Sequence, residues 1–156
     1  MFGLLPDIWL RCIALRYFNV FGPRQDPGSP YSGVITKFIA NTLAHRPLVI
    51  FGNGTQTRDF VYVKDVVPAN IRAMQSGEPG IFNVACGLRI NLRELSDMIM
   101  EITGSEVPVT FGPSAPGDIR DSLADISLAR NALGYAPEYT VKTGLAETVK
   151  WFRELG

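Results

Sequence analysis

The sequence predicts an α/β fold, because short runs of strand-forming residues alternate with amphipathic helical segments along the chain. Its length of 156 residues suits one domain that is large enough to bury a core. The composition, with 46% hydrophobic and 19% charged residues, is typical of a soluble globular protein, and no internal repeat is visible. We therefore expect one folded domain.

Five runs rich in β-branched and aromatic residues predict strands. They are residues 12–20, 48–51, 59–63, 81–85 and 107–111. The first run is closed by the turn signal Gly22-Pro23, after which residues 26–30 form a polar loop. The second run stops at the Gly52-Asn53-Gly54 turn signal. The stretch 112–121 is a second predicted loop.

The first predicted helix begins near Ser32, which can cap it, and ends near Arg46, just before Pro47. Its apolar face carries Ile35, Phe38, Ile39 and Leu43. A second helix is predicted over residues 64–76. Pro68 falls early in that helix, and a first-turn proline is tolerated because its missing N–H would be unpaired there.

The third predicted helix has the clearest start and stop signals. Asn91 and Glu94 form a capping-box pattern, and the apolar-faced segment behind them runs through Ile102 to Gly104. Asp125 is expected to cap a short fourth helix that stops at Gly134.

A last helix is predicted from about Thr143, docking the C-terminal segment onto the domain. One side of it carries Leu145, Val149 and Phe152.

Charge and cysteine content exclude several classes of function. Fifteen basic and fifteen acidic side chains give no net charge, so no global field attracts nucleic acid or an anionic membrane. Cys12 and Cys86 lie too far apart for a CxxC or metal-ligand motif, and their apolar neighbours predict reduced core thiols. The opening segment MFGLLPDIWL is a poor signal peptide and too short to span a membrane, which makes the cytoplasm the default location.

Hydrolytic and metal-dependent chemistries have little support in the sequence. His45 is the only histidine and has no cysteine partner in a recognisable arrangement, so we expect it on the surface at a helix end. The carboxylates show no paired acid/base spacing and no metal-ligand pattern, and they are interpreted as solvated groups or caps.

Six sequence blocks, in order, carry a family resemblance. They are LRYFNVFGPRQ, VITKF, PLVIFGNGTQTRDFVYVKDV, FNVACG, PGDIRDSLADI and LGYAP, within residues 13–155. Together they resemble the extended short-chain dehydrogenase/reductases, and among these the NAD-dependent nucleotide-sugar epimerase/dehydratase family typified by UDP-glucose 4-epimerases. The resemblance implies that residues 1–156 are a single C-terminal substrate-binding domain plus the last Rossmann-type strand. Residues 13–22 would be that strand and turn, residues 1–12 an atypical N-terminal segment, and the N-terminal Rossmann half would be absent.

Two motifs of the family are missing. No glycine-rich dinucleotide loop follows a strand, and none of the five tyrosines has a lysine four residues on. In the resembled family that tyrosine is the general base, while NAD takes and returns the hydride. We therefore assign no catalytic residue and expect no cofactor on this chain alone. Tyr17 and Phe18 would line the nicotinamide end only if a cofactor domain were supplied.

The resemblance assigns the first substrate-binding residues to strand ends and a helix start. Asn19 would contact the substrate diphosphate, although a turn-capping role is the alternative. A uracil ring would lie against the start of the first helix, whose face is otherwise ordinary core, and against the strand that begins at residue 48, where strand packing is the alternative. These base-site residues are Val34, Ile35, Phe38, Val49 and Phe51.

Later blocks supply the remaining substrate contacts. Arg58 resembles the family's diphosphate-binding arginine, and an ion pair with Asp59 or Asp65 is the alternative. Asp118 matches a ribose-hydroxyl acceptor, or else it stabilises a turn. Ala115 stands where the family commonly has a second phosphate-binding arginine, which predicts weaker binding unless Arg120 or a partner chain compensates.

Ser122 falls where the family varies the side chain that faces the sugar's C2 substituent, and a small serine should admit an N-acetyl group.

The expected function is therefore the substrate-binding portion of a UDP-sugar 4-epimerase-like protein that is inactive as an isolated chain. The intact reaction would interconvert UDP-glucose and UDP-galactose, or their N-acetyl forms. A non-catalytic nucleotide-sugar-binding or interaction module is the alternative, as is a fragment of a nucleotide-sugar dehydratase or decarboxylase. Because the first strand would lose its neighbour in the sheet, we expect a homo-oligomer through that strand, or a separate cofactor-domain chain.

Overall fold

A computed structural model describes residues 11–29, 33–114, 117 and 119–155, and within these it confirms the α/β class. The elements in chain order are β1 (Ile13–Tyr17), β2 (Asn19–Phe21), α1 (Val34–Leu43), β3 (Leu48–Phe51), β4 (Thr57–Arg58), β5 (Phe60–Tyr62), α2 (Val63–Ser76), β6 (Gly80–Val84), β7 (Ile90–Asn91), α3 (Leu92–Thr103), β8 (Val109–Gly112), α4 (Ser127–Leu133) and α5 (Val141–Leu155). The β4 and β7 strands were not predicted, because two-residue strands leave no periodic pattern in a sequence.

The described strands form four pairs. β1 with β6, β2 with β5, and β3 with β8 are parallel, whereas the short β4 and β7 are antiparallel. Helical crossovers join the parallel partners, as α/β folds require.

The predicted strand 12–20 is two strands that change partner at Phe18. The N–H of Phe18 donates to the Val84 carbonyl beside β6, and the next N–H, of Asn19, donates to the Asp59 carbonyl beside β5. One extended segment therefore joins two strand pairs. The prediction of a single strand was wrong in this respect, because local propensity does not show which partner a residue will pair with.

Strand β5 lies between two hydrophobic cores. Phe60 and Tyr62 pack into one core with α1, α3, α5 and β3, while Val61, on the opposite face, packs into a second core with α2, α4 and β6. Alternate side chains of a strand point to opposite faces, so the sequence of a strand that is covered on both sides is an unbroken run of apolar residues.

Helix α5 makes an unusually close approach to this strand. A Cβ atom on Gly144 would lie 2.9 Å from ring atoms of both Phe21 and Tyr62, so only glycine fits there. The Tyr62 hydroxyl donates to Glu147 at 2.8 Å, and Lys64 pairs with the same carboxylate oxygen. The hydrogen bonds from Lys64 and Tyr62 lower the pKa of Glu147. These contacts dock the C-terminal helix, as its apolar face predicts.

The signals around α3 are confirmed. The Asn91 side chain accepts from the Glu94 N–H at 2.9 Å, and the Glu94 carboxylate accepts from the Asn91 N–H at 3.1 Å. Gly104 ends the helix in the left-handed region, with φ of +66°.

Three helix starts differ from the predicted ones. Helix α1 has Gly33 at its N-cap without a side-chain bond, and the predicted cap Ser32 lies outside the described residues. The N-cap of α4 is Ile126, although Asp125 does accept from the Ser127 N–H at 2.8 Å. Helix α5 starts two residues earlier than predicted, at Val141.

Pro68 lies in the second turn of α2 and not in the first, because that helix already begins at Val63. At the sixth helical position a proline removes an N–H that would otherwise bond to Lys64. The first-turn interpretation was therefore wrong, and the helix accommodates the proline on its exposed side.

Surface and core placements correct one further prediction. Both cysteines are free, but Cys12 is exposed and is not a core thiol. Cys86 is half-buried, and burial raises its pKa to about 12. His45 is exposed just after α1, as predicted. None of the helices in the described ranges is long and apolar enough to cross a membrane.

Candidate functional site

A cleft of about 600 Å³ opens where β2, β3 and β4 approach the start of α1. Six of the nine residues predicted to bind substrate line it, namely Asn19, Val34, Ile35, Val49, Phe51 and Arg58. They come from separate parts of the sequence, and the strand pairing brings them together.

Of the other three predicted residues, two lie outside the cleft lining and one lies outside the described residues. Phe38 is buried in the first core, behind the cleft wall. Ser122 is half-buried and lies outside the cleft lining, although its N–H donates to the Thr57 carbonyl next to Arg58 at 3.1 Å. Asp118, together with Ala115, lies outside the described residues.

The two residues predicted to face a cofactor are separated. Phe18 lines the cleft, whereas Tyr17 lines a second cavity between β1 and α2 and donates its hydroxyl proton to Asn70 at 2.7 Å.

Strand β3 gives the cleft one wall. Leu48 and Ile50 are buried, whereas Val49 and Phe51 are 47% and 56% exposed and lie on the same face. The N–H of Leu48 donates to the Pro108 carbonyl and that of Gly52 to the Gly112 carbonyl. In a parallel ladder the backbone groups of the intervening residues then point away from β8. The polar groups of Val49 and Phe51 therefore lie along the outer edge of the strand.

Asn19 is held by the backbone of Asp59. Its N–H and its side-chain amide both donate to the Asp59 carbonyl, each at 3.1 Å. An amide nitrogen carries two hydrogens, so this bond leaves Asn19 with one further side-chain donor and an acceptor oxygen.

Arg58 brings a guanidinium group to the same cleft. The group is half-buried, and it donates to the Thr57 carbonyl at 2.8 Å and the Arg120 carbonyl at 3.4 Å. A guanidinium has five N–H donors in a planar fork, and these two carbonyl contacts help to orient it in the cleft.

The carboxylate of Asp59 is fully buried between the two cores. It accepts from the N–H groups of Cys86 and Gly87, each at 2.9 Å, and of Ala124 at 3.2 Å. Burial raises the pKa of Asp59, and the backbone hydrogen bonds act against that rise. The carboxylate of Asp65 likewise accepts hydrogen bonds from the N–H groups of Glu138 and Tyr139. Both carboxylates accept hydrogen bonds from loop backbones, which argues against an ion pair with Arg58 as their main role.

Two glutamines in the cleft lining were missed from the sequence. Gln25 accepts from the Thr36 hydroxyl at 2.7 Å, and Gln56 donates to the Phe51 carbonyl. Gln56 lies inside the GNGTQTRDF block, so its position between the Phe51 wall and Arg58 was the available signal. No cluster of three or more metal-ligating side chains occurs among the described residues.

Comparison with known proteins identifies one family. The model of the NAD dependent epimerase/dehydratase family matches residues 8–85. The UDP-glucose 4-epimerase of Mycolicibacterium smegmatis is 41% identical over 145 residues, which are 92% of this chain and 46% of that protein.

Two solved structures are similar as well. The UDP-glucose 4-epimerase of Thermotoga maritima, with UDP-glucose, has a TM-score of 0.88 and 39% identity. The UDP-N-acetylglucosamine 4-epimerase of Methanobrevibacter ruminantium M1, in complex with UDP-N-acetylmuramic acid, has a TM-score of 0.88 and 45% identity. In each case the match covers 92% of this chain and 46% of the other. The chain thus spans about half the length of these relatives.

The Asp59 network predicts a specific effect of Asp59→Asn. The asparagine side chain would place its own N–H donor opposite one of the three backbone N–H donors, which would lose its acceptor. We therefore expect the free energy of unfolding to fall by about 1–3 kcal/mol. Urea denaturation measures this loss, and hydrogen exchange should accelerate at Cys86, Gly87 and Ala124.

Asp65→Asn is the matched control for that variant. It should also destabilise the fold, but it should accelerate exchange at Glu138 and Tyr139 instead. Identical exchange patterns in the two variants would contradict the assigned roles.

Proposed function

Because the chain belongs to the NAD dependent epimerase/dehydratase family, we propose that it is the substrate-binding portion of a UDP-sugar 4-epimerase-like protein. The observation that carries the proposal is the cleft, in which an exposed aromatic wall, an amide and a guanidinium converge. We assign the chain to the C-terminal, substrate-binding part of such a protein, with residues 13–22 as the last Rossmann-type strand and turn. The comparisons support the family, and the part of the protein is our assignment.

The outer edge of β3 suits the imide edge of a uracil ring. The carbonyl of Val49 and the N–H of Phe51 point to the same side, as an acceptor and a donor in succession. Uracil offers a matching N–H donor beside a carbonyl acceptor. The exposed Phe51 ring then gives the base an apolar surface on which to stack.

The polar side chains of the cleft suit a diphosphate. Arg58 supplies positive charge and paired donors, and Asn19 supplies a further donor from the first position of β2. We retain Phe38 as support for the wall behind the base, and Asp118 as the proposed ribose acceptor. With Ala115 in place of a second arginine, Arg58 carries most of the phosphate affinity.

NAD is the cofactor of the family, and we propose that this chain does not bind it without another domain. The sequence has no glycine-rich loop for a pyrophosphate, and the Tyr17 hydroxyl is bonded to Asn70, in a cavity separate from Phe18. We therefore assign no redox step to this chain alone. Tyr17 and Phe18 keep their proposed place near a nicotinamide only where another domain supplies the cofactor.

Arg58→Ala should abolish most of the affinity for UDP in calorimetric titration. Loss of a charge-assisted phosphate contact costs on the order of 1.5–3 kcal/mol, which is roughly ten- to a hundredfold in Kd. Arg58→Lys should recover only part of it, because lysine lacks the planar fork. Arg46→Ala, an exposed arginine outside the cleft lining, is the control and should bind as the parent does. Absence of heat at millimolar UDP with the parent chain would refute the proposed function.

Ser122 predicts tolerance of acetamido sugars. UDP-N-acetylglucosamine and UDP-glucose should bind within about tenfold of each other, because a serine leaves room for the larger C2 substituent. Ser122→Tyr should weaken the acetamido ligand selectively. Competition calorimetry on the parent and the variant gives both ratios, and strict exclusion of the acetamido sugar by the parent would contradict the assignment.

The free edge of β1 predicts self-association. In the described part of the chain β1 pairs only with β6, and the neighbouring helix α2 leaves Val67, Ile71 and Met74 exposed, Met74 by 86%. We expect a dimer or larger assembly in light scattering at micromolar concentration. The segment 1–10, which we also expect to be covered, lies outside the described residues. Met74→Glu should shift the assembly toward monomer, whereas a parent chain that is monomeric throughout would count against the idea.

A further inference from the structure

Gln56 lies beneath the turn that joins β3 to β4. The residue is 8% exposed, and its side-chain amide donates to the Phe51 carbonyl at 2.5 Å. A Cβ atom on Gly52 would lie 3.7 Å from its Nε2 atom and 3.8 Å from its Oε1 atom. The amide is therefore packed against the backbone of the turn, which bends at Gly52 with φ of +83°.

The acceptor of this bond belongs to the outer edge of β3. The Phe51 carbonyl points away from β8, and no strand among the described residues pairs with β3 on that side. The Phe51 ring would lie 3.2 Å from a Cβ atom on Gly112, and Phe51 is 56% exposed. The side-chain bond from Gln56 is thus a specific restraint on the Phe51–Gly52 peptide and, through the Phe51 Cα atom, on the preceding peptide that carries the Phe51 N–H.

The outer side of the same turn is held independently. The side chain of Arg93 donates through Nε to the Asn53 carbonyl at 2.7 Å, and its backbone N–H donates to the Gly54 carbonyl at 3.3 Å. The Asn53 side chain accepts from the N–H of Thr55 at 3.1 Å. Loss of the Gln56 bond therefore releases the Phe51 end of the turn while leaving the remainder fixed.

We infer that Gln56 is a positioning residue that sets base selectivity by holding the backbone of Phe51 through its carbonyl. With the Phe51 backbone fixed, the Val49 carbonyl and the Phe51 N–H present an acceptor and a donor at one spacing, which accepts the imide edge of uracil. Cytosine has an acceptor at N3 and an amino group beside it, so it meets this edge with the wrong polarity. The inference rests on the proposed UDP-binding function.

Gln56→Met removes the donor at similar length, and Gln56→Glu keeps the shape but replaces the donor with an acceptor. Calorimetric titration with UDP, CDP and inorganic pyrophosphate gives the base-dependent and phosphate-dependent parts of affinity. We expect UDP to weaken about tenfold and its preference over CDP to fall by a similar factor. Pyrophosphate binding should change by less than about twofold. Gln75→Met, at an exposed glutamine of α2 outside the cleft lining, is the control and should keep the preference.

Hydrogen exchange supplies a second readout that needs no ligand. Exchange at residues 51–56 should accelerate in both Gln56 variants and stay unchanged in α3. An unchanged preference for UDP over CDP would overturn the inference, and so would an equal loss for all three ligands, which indicates general destabilisation. If the parent chain binds no UDP, the proposed function fails separately. Unchanged exchange at residues 51–56 then also overturns the positioning role.

Discussion

The buried carboxylate of Asp59 is the constraint on which the arrangement of this protein depends. Its three backbone donors come from the segment after β6 and the segment before α4, while its own carbonyl takes two bonds from Asn19. A carboxylate without water is costly unless such donors surround it, so the fold is stable only when all these segments meet. The same residue therefore joins the second core to the cleft.

The cleft is made from strand ends and turns that this constraint aligns. Asp59 separates Arg58 from Phe60, so fixing its backbone fixes a charged side chain on one side and a core aromatic on the other. The wall formed by β3 is set separately, through its register with β8. The proposed base-facing groups thus come from β3 and the proposed phosphate-facing groups from β2 and β4, and the short turn that contains Gln56 joins β3 to β4.

Much of this could be predicted from sequence, since local signals carry it. Strand β3 was predicted with its observed bounds, and the Asn91 capping box needs only a four-residue pattern. The change of partner at Phe18 could not be predicted, because it depends on carbonyls far along the chain. Family motifs identified six residues that meet in the cleft, whereas Gln56 acts through a backbone carbonyl and has no signature of its own.

The turn between β3 and β4 also bears on how a ligand would arrive. Its backbone is already bonded through Asn53, Gly54 and the Phe51 carbonyl before anything binds. Ordering a free loop would cost roughly 1–2 kcal/mol of conformational entropy per residue, and this turn loses most of that entropy during folding, before a ligand binds. Encounter with a ligand then needs little rearrangement, which favours association in a single kinetic step over slow closure around the ligand.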